Sequence, residues 1–82
     1  SYQQQLIRAH RLDGQVALFN LANRMEVYYL KNHTYAKATL ATGKNHDISS
    51  QDLSAERQYR LHIVNSTDTA YLLSATPLNH QA

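Results

Sequence analysis

Apolar residues recur at helical spacing over the first third of the chain and at alternate positions near its end, with a polar, aperiodic stretch between. From Ser1 to Lys31 there is no proline, Gly14 is the only glycine, and good helix formers dominate, which predicts one long helix. Ile7, Arg11, Gly14, Leu18, Leu21, Ala22, Met25 and Tyr29 follow helical spacing along one face. Ala9, Leu12, Val16, Phe19, Val27 and Leu30 trace a second stripe, more than a quarter turn away. A surface helix needs one apolar stripe; two stripes predict two surfaces to cover. A helix of about 30 residues is roughly 45 Å long, whereas a compact domain of this size has a diameter of roughly 30 Å. The helix therefore overshoots its own domain. Leu18, Leu21, Ala22, Met25 and Tyr29 lie where the domain reaches the helix and are the expected helix–sheet core. The overshooting third either projects into solvent or is covered from outside the chain, and Leu6, Ile7 and Leu12 within it favour the second reading.

Asn32, followed by His33 and Thr34, supplies the stop signal, because asparagine tolerates the left-handed conformation at a helix C-cap. Tyr28, Tyr29 and Tyr35 cluster around that exit and predict aromatic packing of the first loop on the helix end. Residues 36–57 read as a long mixed connection, with a turn at Gly43-Lys44-Asn45 and one short helical turn at Ser54-Ala55-Glu56-Arg57. Tyr59, Leu61 and Ile63 then alternate with Arg60, His62 and Val64 as a strand. Ser66-Thr67-Asp68-Thr69 is turn chemistry, and Tyr71–Thr76 is a second strand ending at Pro77. Two strands make a poor sheet even when packed on a helix, so the sheet is expected to need further neighbours.

The chain has 82 residues and a mass of 9.4 kDa, enough for one small domain. Area scaling gives a folded surface of about 5,000 Å² against roughly 13,600 Å² unfolded, a thin core. Hydrophobic residues make up 43% and charged residues 17%, a globular balance that argues against disorder. The net charge of +2 is too mild to name nucleic acid or membrane as a partner by itself. With no cysteine, disulfides and thiolate chemistry are excluded within these residues, and the redox compartment stays open. No apolar run has the length of a membrane span, and no signal-peptide pattern opens the chain.

Candidate chemistry is sparse. His10, His33, His46, His62 and His80 form no pair at short ligand spacing, so neither a metal nor a cofactor is expected. His46-Asp47 with Ser49 and Ser50 contains the letters of a hydrolytic triad, as many polar loops do, but there is no nucleophile elbow, phosphate-cradling loop or dinucleotide fingerprint. Catalysis is not expected. Arg8, Arg11 and Arg24 on the helix, and Arg57 and Arg60 beside the hairpin, are able to contact phosphates, although Asp13, Glu26, Glu56 and Asp68 are interspersed with them. Arg57 and Arg60 are the candidate DNA contacts. Asn32-His33-Thr34 and Asn65-Ser66-Thr67 match the N-glycosylation sequon, a weak pattern that polar turns satisfy by accident.

Four stretches in this order resemble the type IV pilins, most closely the PilE-like minor pilins. They are the opening Ser-Tyr-Gln-Gln-Gln-Leu-Ile-Arg-Ala-His-Arg; Ala17-Leu18 through Leu21-Ala22 to Met25-Glu26-Val27-Tyr28-Tyr29; Asn32-His33-Thr34-Tyr35-Ala36; and Tyr71-Leu72-Leu73-Ser74-Ala75-Thr76-Pro77. The likeness spans nearly the whole chain and is weakest over residues 37–57. It implies an α+β fold, a long N-terminal helix on a small antiparallel sheet (a pilin-like roll), in a single domain over 1–82: helix 1–31, connection 32–57, hairpin region 58–82. The function it implies is structural: a minor pilin in a bacterial filament serving pilus assembly, adhesion, twitching motility or DNA uptake. Other pilin subunits are the implied partners, with Leu6, Ile7 and Leu12 in filament packing, and DNA is a further possible partner. Family members carry an apolar half-helix before this segment and a cysteine-closed loop after it, so the natural polypeptide is expected to extend both ways. The apolar half-helix implies residence in the inner membrane, facing the periplasm, before assembly into an extracellular pilus. Two alternatives share the architecture: a DNA-binding competence pilin and a pseudopilin of type II secretion.

Overall fold

The computed structural model describes residues 2–78, apart from the side chains of residues 2, 3, 6 and 7. One long helix, α1 (Tyr2–Asn32), is followed by a 26-residue connection and two strands, β1 (Tyr59–Ser66) and β2 (Tyr71–Pro77). The helix packs on the antiparallel pair, an α+β arrangement. The molecule measures 47 × 22 × 17 Å, and its long axis matches the roughly 46 Å that a 31-residue helix spans. The accessible surface of 5932 Å² exceeds the compact-domain expectation of about 5,000 Å², as an overshooting helix requires.

Ala17, Leu21, Met25 and Tyr28 from α1 meet Ala38 and Ile48 from the connection and Leu61 from β1 in the core. Among the described residues Met25 is the one large side chain with no exposure. Leu18 is half-buried against this cluster, as are Ile63, Tyr71, Leu73 and Ala75 of the strands. Ala22 and Tyr29 are also half-buried. The second stripe stands in solvent: Leu12 is 58% exposed, Phe19 67% and Leu30 76%. The side chains of Leu6 and Ile7 lie outside the described residues.

Gly14 explains how a glycine sits inside this helix. A Cβ built there would meet the Tyr59 ring at 2.9 Å, so the missing side chain lets β1 begin against the helix. The preceding residue, Asp13, is buried, and its carboxylate accepts hydrogen bonds from the Ser54 hydroxyl, from Glu56 N at 3.0 Å and from Gln58 N at 3.4 Å. That carboxylate fixes residues 54–58 as a tight turn, with Arg57 N donating to Ser54 O at 2.9 Å and Arg57 at φ 58°. The helical turn expected at Ser54–Arg57 is thus a β-turn closing on a left-handed arginine. The helix exit differs too. Asn32 remains helical and its amide donates to Tyr28 O, while His33 takes the left-handed position at φ 59° and donates its N–H to Tyr29 O.

The strands pair from Tyr59↔Pro77 to Ser66↔Tyr71, with a register shift between Ile63 and Asn65 that leaves Val64 as a bulge. The connection itself supplies a rudimentary third strand. Leu53 bridges Arg60, Leu61 N donates to Asp52 O at 2.7 Å, and Ser54 N donates to Tyr59 O at 3.0 Å. The first half of β1 therefore has partners on both sides. The outer edge of β2 has none among the described residues.

Candidate nucleic-acid interface

The connection between α1 and β1 carries no hydrophobic period, and side chain–backbone hydrogen bonds give it its shape. Asp47 is the centre of the first turn. Its carboxylate accepts from the hydroxyls of Thr39 (2.7 Å) and Thr42 (2.6 Å) and from the main-chain N–H of Thr42 (3.0 Å) and Gly43 (2.7 Å). These donors, the Thr42 hydroxyl foremost, hold the carboxyl well below the ordinary aspartate range, against the opposing effect of burial. Ala41 at φ 55° and Gly43 at φ 78° bend the chain, and Thr39 N donating to His46 O (2.9 Å) and Ile48 N to Thr39 O (2.8 Å) close the base. An exposed tip, Thr42-Gly43-Lys44-Asn45-His46, results.

The tip leans on the helix. The buried Tyr28 places its hydroxyl 2.7 Å from His46 Nδ1, and the two rings meet edge-on with centroids 5.9 Å apart. One turn earlier, Arg24 donates to Ile48 O at 3.3 Å. Helix and tip enclose a cleft of about 400 Å³ whose polar lining is Arg24, Lys31, Asn32, Asn45, His46 and Asp47. Arg24 and Lys31, seven residues apart, share a helix face, and Lys44 is exposed on the adjoining tip. Asp47 is the only carboxylate in the lining, so positive charge is in excess.

Arg57 and Arg60 occupy a different place. Arg60 is ion-paired with Asp52 at 2.9 Å, and Arg57 is exposed on the turn next to Glu56, with the buried Asp13 beneath. The Arg60 charge is thus paired, whereas Arg57 has a carboxylate only as its chain neighbour. On the opposite flank of the helix, Glu26 accepts from the hydroxyls of Tyr35 (2.9 Å) and Tyr71 (3.2 Å), and Tyr35 lies 4.6 Å from Tyr29 and 4.9 Å from Tyr71 between ring centroids. Its hydrogen bond to Glu26, with a lesser effect of burial, pushes the Tyr35 hydroxyl up to about 12. Burial first, then Glu26, raises Tyr71.

The histidines are dispersed. His10 sits along the helix, His33 at its exit, His46 on the tip and His62 on the exposed face of β1, whereas His80 lies outside the described residues. Among the described residues no three of His, Cys, Asp or Glu are grouped to hold a metal, and no helix is long and apolar enough to cross a membrane. His46 and Asp47 form no relay in the bonds described, since one faces Tyr28 and the other its own turn. Sequence reasoning missed Asp13 and Asp47 as organisers and the Tyr28–His46 pair. The one local signal was the polar stretch Thr42-Gly43-Lys44-Asn45 before Asp47, whose side chain can cap such a turn.

No curated protein and no solved structure matches the chain. A family described as "Type IV minor pilin ComP, DNA uptake sequence receptor" matches it over residues 1–82. The long helix on a small antiparallel sheet is the pilin-like arrangement, and the chain belongs to this type IV minor pilin family.

Proposed function

We propose that this protein is a non-catalytic subunit of a type IV pilus that binds duplex DNA during uptake, with the helix–tip cleft as its contact. The observation that carries this reading is the excess of cations at the cleft, in a chain whose family is described as a DNA uptake sequence receptor. Phosphate contacts supply affinity and position, and side chains that reach base edges supply sequence preference. Arg24, Lys31 and Lys44 suit the first role. Asn45, exposed on a tip whose backbone is held by Asp47, suits the second. Arg57 and Arg60 remain a second candidate contact, weakened by Asp52 and Glu56. DNA uptake is preferred to adhesion, twitching or secretion because DNA is the ligand that the family's description names.

In the filament, Leu12, Val16, Phe19 and Leu30 form the face that neighbouring subunits cover, and Leu6 and Ile7 belong to the N-terminal third that the same neighbours reach. The subunit would reside at the inner membrane before assembly and on the extracellular pilus afterwards. The test is selection from a randomised duplex library at moderate salt. The reading expects one short motif to be enriched and its scrambled version to bind at least tenfold more weakly, the scale of one or two mismatched base pairs. A library that returns no enriched motif, with all duplexes bound alike, argues against a sequence receptor.

A further inference from the structure

We infer that His46 makes DNA binding proton-linked, so that the cleft grips DNA more tightly in mildly acidic than in mildly alkaline solution. The inference rests on the DNA-binding reading and concerns the regulation of that same cleft. His46 is an exposed imidazole in the lining of the cleft, tethered through Nδ1 to the buried Tyr28 hydroxyl at 2.7 Å. When the ring is neutral, Nδ1 accepts the Tyr28 proton if Nε2 carries the ring hydrogen, and donates to the Tyr28 oxygen in the other tautomer. When the ring is protonated, Nδ1 donates to the same Tyr28 oxygen, whose own hydrogen swings aside. The contact survives in both states, and the Asp47 turn and the Thr39 ladder do not involve the ring. A proton therefore changes the charge of the tip without dismantling it.

The charged groups that share the cleft and tip with the ring are Arg24 and Lys31 on α1, Lys44 on the tip and the Asp47 carboxylate. Phosphates entering the cleft pair with the cations and themselves favour the imidazolium, so DNA and proton bind cooperatively. Histidine is the side chain whose ordinary range lets this occur between about pH 5 and 8.

The experiment measures the affinity of the protein for the selected duplex over a salt series at about pH 8 and about pH 5.5. Each phosphate neutralised adds about 0.9 to the slope of log affinity against log salt, so one extra contact is worth roughly eightfold at 0.1 M salt. The wild type is expected to show that steeper slope and tighter binding at the lower pH. His46→Gln, which keeps a partner for Tyr28 but cannot take up the charge, is expected to show one slope at both. His46→Lys is expected to hold the steeper slope at both. A wild type that binds DNA equally at the two pH values, or a His46→Gln variant that keeps the pH difference, overturns the inference while leaving the DNA reading intact. Loss of DNA binding at every pH sinks the reading and the inference together.

Discussion

At Gly14, two opposing effects act on one residue. Alanine would favour the helix by about 1 kcal/mol relative to glycine, yet its Cβ would lie 2.9 Å from the Tyr59 ring. Overpacking of this kind costs about 1–3 kcal/mol, so Gly14→Ala is expected to lower the melting temperature despite the better helix former. Asp13 is the second such residue. Asp13→Ala strands the Ser54 hydroxyl hydrogen and the Glu56 N–H, while the Gln58 N–H keeps Ser54 Oγ as acceptor, and is expected to cost about 1–3 kcal/mol, read by denaturant unfolding. Glu26 makes a prediction about pH. Because the folded state holds the Tyr35 hydroxyl above its ordinary value of 10.0, at about 12, the protonated phenol contributes stability below pH 10 that is lost as pH rises through 12. In Glu26→Gln the late phenolate absorbance step should move back toward the ordinary tyrosine range, and alkaline unfolding should begin earlier. An unchanged titration would mean that Glu26 is not the cause.

The elements separate what periodicity reveals from what it conceals. Helical spacing from Ser1 to Lys31 and alternation from Tyr59 and from Tyr71 were enough to read one helix and one hairpin, because burial of one face writes a repeat into the sequence. Depth of burial is less legible. Ala17 and Tyr28 lie off the stripe that runs from Leu18 to Tyr29, yet are buried, because residues 38–48 wrap that flank of the helix. The connection was opaque for a physical reason. Its order comes from Asp47 on its own turn and from Asp13 on a turn more than forty residues away, and neither leaves a period. The cleft was hidden likewise, since Tyr28 and His46 meet across a separation of 18 residues. The two helix faces yield a direct comparison. Met25→Ala is expected to cost about 2–5 kcal/mol, whereas Leu12→Ala and Phe19→Ala should leave the domain folded and reduce incorporation into the filament. Thermal melts and pilus recovery check the pair. A folded Met25→Ala beside an unfolded Leu12→Ala would reverse the assignment of faces.

For the whole molecule, one helix serves two surroundings. Its inner face holds a thin core together, its outer apolar face stands in solvent and is the one proposed for neighbouring subunits, and its C-terminal half presents Arg24 and Lys31 beside a braced polar tip. On this account the DNA contact is the cleft, not the arginines near the hairpin, because Arg60 is paired with Asp52 and Arg57 adjoins Glu56. The most direct measurement is the salt dependence of duplex binding for Lys31→Ala combined with Lys44→Ala, beside Arg57→Ala combined with Arg60→Ala. The account predicts that the cleft pair reduces the slope by about 1.8, the value for two lost phosphate contacts, while the hairpin pair leaves the slope near that of the wild type. An unaltered slope in the cleft pair, with the loss appearing in the hairpin pair instead, would contradict it.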